Sequence, residues 1–272
     1  QAMLSKCAET DCKAYERLWP HYEPQRGLTM CGPASVAVVM RAALGEGAEM
    51  GSHAHGGGGG SSGSAGNSET DTATLEGRRP GSMKTMRHAA WALLASSGQR
   101  PSERCASTAV DEELVLTRQT ALAPAAVKAP GVGVTLDGLA GILRSLGVAC
   151  TAERARGSAH GASGPHTLAA EEMGAQREGL QRLRDALRRA PACAVLLNYH
   201  MGTAGQRPFG GHFSPAAAYH EASGRFLVLD VWPKTSGGTG PCWLSGSRLW
   251  AALASTDPDT GLSRGWLVAD ME

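Results

Sequence analysis

The stretch 33–44 is apolar on nearly every face, and a helix of that kind is stable only when other elements cover it all round. The rest of the chain must therefore supply layers on several sides of it. Leu136, Leu139, Ile142, Leu143 and Leu146 recur at helical spacing, with Thr135 as an N-cap and Gly147 as the stop. Leu180, Leu183 and Leu187 mark another helix, rich in arginine on its outer face and closed by Pro191. Beyond it the period changes: 193–199, 213–220, 225–231 and 265–270 read as strands, and 245–255 as a short helix before the last of them. Helices first and antiparallel strands after them predict an α+β domain in two lobes, with a cleft where the lobes meet.

With 272 residues and 42% hydrophobic content, the chain can bury one ordinary core, and the segments complement one another as a single domain over 1–272. Two stretches stand apart. The first, 45–81, holds a run of five glycines followed by Ser, Ala, Asn, Thr and Asp, and reads as a disordered Gly/Ser-rich insertion. His53 and His55 within it are solvated loop residues on this reading. The second, 154–165, is a shorter polar loop of the same kind.

Basic and acidic residues number 26 and 25, leaving a net charge of +1, so nothing marks a nucleic-acid or anionic-membrane partner. No run approaches the roughly 18–20 apolar residues that a bilayer span needs. The seven cysteines, at 7, 12, 31, 105, 150, 193 and 242, form no CxxC pair and no repeated metal-ligand spacing. Dispersed thiols fit a reducing compartment, so a cytoplasmic protein is expected. The chain opens on Gln1, and this reading does not extend to any segment ahead of it.

Among those thiols Cys31 has a distinctive setting. Cys31-Gly32-Pro33 opens the apolar helix, with Pro33 in the first turn. A thiol there meets the helix dipole and free backbone N–H groups, which favour the nucleophilic thiolate. An inert buried cysteine fits the same motif. His212 follows Gly210-Gly211 at the start of one strand, and Asp230 closes the next. Across a hairpin, give or take a bulge, Asp230 can hold one imidazole nitrogen while the other faces a thiol. A structural histidine after a turn and an aspartate ending a strand are the alternatives. Gln25, six residues before Cys31, could offer an amide N–H to an oxyanion together with the Cys31 backbone.

As a set, Gln25, Cys31-Gly32-Pro33-Ala34-Ser35-Val36, Asn198-Tyr199-His200, Gly211-His212-Phe213-Ser214-Pro215, Leu229-Asp230-Val231, Trp243, Leu249-Trp250 and Arg264-Gly265-Trp266 resemble the catalytic domain of phytochelatin synthases over residues 15–44, 132–152 and 193–270. The resemblance implies a papain-like fold, with a helical N-terminal lobe and an antiparallel-sheet C-terminal lobe. It implies Cys31, His212 and Asp230 as a triad and Gln25 as its oxyanion glutamine. It further implies attack on the Cys–Gly bond of glutathione, release of glycine, and transfer of the γ-glutamylcysteinyl group to a second glutathione or a growing phytochelatin. Cadmium or zinc would promote this as metal–thiolate complexes of the acceptor, with no tightly bound cofactor and no permanent metal site.

Where plant members continue Val-Ala-Arg after the aspartate, this chain has Val231-Trp232-Pro233-Lys234. Arg264, in its Arg-Gly-Trp context, and Lys234 are therefore the candidates to bind substrate carboxylates. Three other readings stay open: a hydrolase that only removes glycine, another papain-like cysteine peptidase, and a thiol protein that buffers metal through Cys7, Cys12 and the loop histidines. Monomer and homodimer are equally open.

Overall fold

The computed structural model describes residues 2–6, 9–27, 29–50, 86–97, 110–116, 133–155, 165–207 and 210–271. The glycine run with His53 and His55, the centre of the 154–165 loop, Cys7 and Cys105 lie outside the described residues. The helices are α1 (Glu9–Leu18), α2 (Cys31–Met50), α3 (Met86–Ser96), α4 (Glu112–Val115), α5 (Leu136–Ser145), α6 (Pro165–Arg188), α7 (Met201–Ala204) and α8 (Gly246–Ala254). The strands are β1 (Cys150–Arg154), β2 (Cys193–His200), β3 (Gly211–His220), β4 (Arg225–Val228), β5 (Cys242–Ser245) and β6 (Gly265–Asp270). They form one antiparallel sheet in the order β1-β6-β2-β3-β4-β5. The class is α+β, as expected.

The order of elements departs from helices first and strands after. β1 precedes α6 and adds an edge strand from the middle of the chain. Its sequence, Cys-Thr-Ala-Glu-Arg, is only half-buried and alternates over just two small apolar residues, Cys150 and Ala152, which is why patterning misses it. Helices also cover both faces of the sheet. Alternate side chains Ala194 and Leu196 of β2 pack with α2, α3 and α5, whereas Val195, Leu197 and Tyr199 pack with α6 and α8. Helix α2 is buried through Leu44, including Val36, Val38, Val39 and Met40, and it runs on to Met50, into the stretch read as insertion. The Thr135 hydroxyl accepts from the Gly138 N–H at 3.1 Å, and Gly147 follows with φ 80°. Among the described residues no helix is long and apolar enough to cross a membrane.

One irregularity positions the site. Ala218 faces Leu227 but Ala216 faces Val228, so Ala217 is an extra residue in β3. The shifted register continues, since the Leu229 N–H donates to the Pro215 carbonyl at 2.9 Å. Asp230 then lies opposite Ser214, on the same face as His212. With an unbroken register it would lie opposite Pro215 and point to the other face. The strand predicted over 225–231 ends at Val228, because past Leu229 the backbone turns to a different partner: the Val231 carbonyl accepts from the Gln25 N–H at 2.7 Å.

Gly265 marks the tightest approach in the sheet. A Cβ there would lie 1.9 Å from the Glu153 carbonyl oxygen and 2.8 Å from the Arg154 Cα, and backbone atoms cannot swing aside as a side chain can. Gly265→Ala should lower unfolding free energy by about 3 kcal/mol, measured by urea denaturation; an unchanged midpoint would show that β1 does not sit this close to β6.

Candidate active site

Cys31 is the first residue of α2 and is buried. Gly32 follows because no side chain fits: a Cβ would lie 2.6 Å from Val134 Cγ1. Burial pushes the Cys31 thiol up, but a hydrogen bond with His212, the charge on that imidazole, and the backbone of Phe213 and Gly32 outweigh it, so the thiol titrates below its ordinary value. Cys150, Cys193 and Cys242 move the opposite way, each pushed up chiefly by burial, Cys242 to about 11.

His212 is 1% exposed and Asp230 0%. His212 Nε2 lies 2.9 Å from Asp230 Oδ1, which leaves Nδ1 for the thiol. Burial pushes the imidazole down, while Asp230 and Cys31 raise it further, so that it titrates at about 9. A lowered thiol beside a raised imidazole favours the thiolate–imidazolium form of the pair. Tyr199 and Trp232 stand edge-on to the imidazole, with ring centroids 5.6 and 5.9 Å away, and shield it from water.

The Asp230 carboxylate is held from both sides. Oδ1 also accepts from the Trp232 N–H at 2.9 Å, and Oδ2 accepts from Thr239 Oγ1 at 3.0 Å and Gln206 Nε2 at 3.3 Å. A fully buried carboxylate is costly unless its oxygens are met by donors in this way. The segment leading to Cys31 is tied to the same place: the Tyr22 hydroxyl donates to the Asp230 carbonyl at 2.6 Å, and the Gln25 N–H donates to that of Val231. These two bonds fix the helix terminus against the hairpin. Gln25 itself is 2% exposed, and its Nε2 donates to the Gly27 carbonyl at 2.7 Å. A primary amide has a second N–H, which that bond does not use.

Beside the thiol lies a cavity of about 160 Å³, whose wall includes Cys31, Val134, Asn198, Gly211, Asp257 and Arg264. Arg264 is 6% exposed. Its Nη1 donates to Asn198 Oδ1 at 3.0 Å and lies 3.7 Å from Asp257 Oδ2. Its Nε and the Asn198 Nδ2 are buried with no hydrogen-bond partner. The guanidinium lies against Gly211, where a Cβ would come within 2.3 Å of Nη1. Burial lowers its pKa, partly offset by Asp257, Asp259 and Cys31. Lys234 is exposed, in a turn after Asp230, and is not part of that wall. Among the described residues no three His, Cys, Asp or Glu side chains stand together as a metal site.

Cys31, His212 and Asp230 are thus brought together, Arg264 faces the same cavity, Gln25 lies on the tied approach segment, and Lys234 sits outside. Sequence reasoning missed Gln206, Thr239 and Trp232 around Asp230, and gave Asn198 and Asp257 no role. Trp232 and Asn198 lie inside or beside the quoted motifs. Gln206 and Thr239 stand in polar loops with no periodicity to single them out.

A family model for phytochelatin synthase matches residues 105–266, a span that contains His212, Asp230 and Arg264 and begins after Gln25 and Cys31. The chain is 35% identical over 80 residues to "Glutathione gamma-glutamylcysteinyltransferase 1" of Triticum aestivum, covering 28% of this chain and 14% of that protein. It is 36% identical over 75 residues to "Glutathione gamma-glutamylcysteinyltransferase 3" of Lotus japonicus, covering 27% of this chain and 15% of the relative. The alignments thus span about a seventh of the length of these relatives.

Proposed function

The chain belongs to the phytochelatin synthase family, and from that premise we propose that it is a cysteine-dependent γ-glutamylcysteinyl transferase acting on glutathione in the cytoplasm. The observation that carries the reading is the buried Cys31–His212–Asp230 constellation, with the thiol at a helix N-terminus and an arginine in the wall of the adjoining cavity. On this reading 1–272 forms one papain-like catalytic domain, with its nucleophile on a helix, its histidine on the sheet and its aspartate just past the end of β4.

The Cys31 thiolate attacks the carbonyl of the Cys–Gly bond. The second N–H of Gln25 and the Cys31 backbone N–H stabilise the oxyanion that forms. Protonated His212 gives its proton to the departing glycine amine, leaving the γ-glutamylcysteinyl group as a thioester on Cys31. Neutral His212 then takes a proton from the α-amine of a second glutathione as it attacks the thioester, which lengthens the product by one γ-glutamylcysteine unit. Cadmium or zinc enters as a thiolate complex of the acceptor and so is part of the substrate. Arg264, in the wall of the cavity beside the thiol, holds a carboxylate of the donor glutathione. Lys234, on the surface of the turn that covers Asp230, is the candidate to hold the acceptor.

Incubation with glutathione, with and without cadmium, followed by mass spectrometry tests this directly. Glycine and products with two or more γ-glutamylcysteine units are expected, with a higher yield of the longer products when the metal is present. Free γ-glutamylcysteine and glycine as the only products would replace transfer with hydrolysis. Arg264→Ala should lower kcat/KM for glycine release roughly 10- to 100-fold, the effect of removing one charged hydrogen-bond partner. Lys234→Ala should spare glycine release and lower the yield of longer products. Equal effects of the two substitutions on glycine release would sink the division of roles.

A further inference from the structure

Glu112 lies far from Gln25 in sequence, is 5% exposed, and opens the four-residue helix α4. Its Oε1 accepts two backbone hydrogen bonds, from the N–H groups of Arg26 and Gly27, each at 2.8 Å. Consecutive amides converging on one buried carboxylate oxygen fix the course of a turn more firmly than either bond alone. The held residues are those that aim the Gln25 side chain. The Gly27 carbonyl takes one N–H of Gln25 Nε2, and the Gln25 main chain is pinned to Val231. Gly27 is also closely confined, since a Cβ there would lie 2.7 Å from Met30 Cγ. On the outer side Arg26 reaches Asp111, the N-cap of α4, at 3.4 Å. The contacts run from Glu112 to the Arg26–Gly27 amides, to the Gly27 carbonyl, to the Gln25 amide.

We propose that Glu112 is a positioning residue that holds the 25–27 turn, and through it the Gln25 amide, in the geometry the oxyanion requires. This rests on the assignment of Gln25 as an oxyanion donor made above, but not on glutathione being the substrate. An uncharged acceptor of the same shape should serve nearly as well, because what matters is the oxygen that both amides reach. The thiolate–imidazolium pair is untouched, since Glu112 has no contact with Cys31, His212 or Asp230 among the bonds described.

Two reagents separate these effects without any glutathione. p-Nitrophenyl acetate acylates Cys31 through a tetrahedral oxyanion, whereas iodoacetamide alkylates it by direct displacement and forms none. Rates are taken relative to a Cys31→Ser background, which subtracts the other thiols. Glu112→Ala should slow acylation about tenfold and leave alkylation within about twofold of the parent. Gln25→Ala should slow acylation at least as much, and the double variant should be no slower than Gln25→Ala alone, because both changes remove one interaction. Glu112→Gln should recover most of the acylation rate. Equal slowing with both reagents would make Glu112 a residue of general stability, and additive losses in the double variant would make it independent of Gln25. Parent-level acylation by Gln25→Ala would remove the basis of the proposal. Absence of glycine release from glutathione in the parent overturns the transferase reading and leaves these outcomes as they stand.

Discussion

Cys31→Ser is expected to lower glycine release from glutathione by about four to six orders of magnitude, as removal of a nucleophile does in other triad enzymes. The hydroxyl cannot replace the thiolate: serine has no lowered pKa to exploit, and the ion pair with His212 disappears with it. The contrast with the remaining thiols makes the test specific. Cys150 and Cys193 are pushed up chiefly by burial, and their thiols contact the Ala140 and Ala186 carbonyls, away from the cavity. Cys150→Ser and Cys193→Ser should therefore keep turnover within about threefold, since they alter nothing that touches the reacting atoms. Iodoacetamide followed by peptide mapping gives an independent check. Cys31 should be modified first at pH 7, and its reactivity should persist to pH values well below those at which ordinary thiols fall silent. Fastest labelling at another cysteine whose loss also stops turnover would relocate the nucleophile.

Replacing Asp230 should affect both stability and pH dependence, and two substitutions pull these apart. In Asp230→Ala, His212 Nε2 and the Trp232 N–H lose their acceptor, and Thr239 Oγ1 and Gln206 Nε2 each lose one of several. Unfolding free energy should fall by about 3–5 kcal/mol, as for other broken buried pairs, and turnover by roughly a thousandfold. Asp230→Asn keeps an oxygen for His212 and Trp232. Its new amide can be met by Gln206, whose Oε1 is buried without a partner and can turn to accept. Most of the stability should remain, so the change in charge can be read alone. His212 titrates at about 9 because Asp230 and Cys31 outweigh its burial. Its folded pKa is raised above the unfolded value, so the ion-pair contribution to stability is fully present below about 6.5 and is lost as pH rises through about 9. Activity that requires protonated His212 should decline over the same upper range. Without the carboxylate charge, the alkaline limb of kcat/KM should move below 9. Overlaying profiles for Asp230→Asn and the parent would show that Asp230 does not set the imidazole.

Where sequence and structure agree, a strong local signal was present. Thr135 and Gly147 bracket a helix whose apolar residues recur at i, i+3 and i+4, and each performs the role its type suggests. Cys31 is legible because Gly-Pro and an apolar run force a helix to begin there. His212 and Asp230 are legible as neighbours because only a short turn separates their strands. What was not legible depended on contacts distant in sequence. β1 forms a strand only because β6 pairs with it, α6 and α8 cover a face that no local pattern assigns, and Glu112 is an ordinary acidic residue until the 25–27 turn folds over it. The separation of Arg264 from Lys234 was equally out of reach, since it depends on which wall the cavity takes.

The extra residue at Ala217 also bears on how this hairpin can change in length. Side chains on paired strands alternate, so the segments 211–220 and 225–230 count in twos. Residues added at the turn 221–224 can loop out and leave the pairing undisturbed. Loss of the extra residue alone would leave Ala216 paired with Val228 and Asp230 opposite Ser214, whereas loss of one more residue from the paired part of β3 would turn Asp230 away from His212, with every residue of the triad still in the sequence. A compensating single-residue gain in the same ladder would bring them back. Over generations such a hairpin can therefore lengthen freely at its tip, while changes at its base beyond the one residue that the bulge absorbs must be compensated, and a chain with the right three residues but an uncompensated register would be folded and silent.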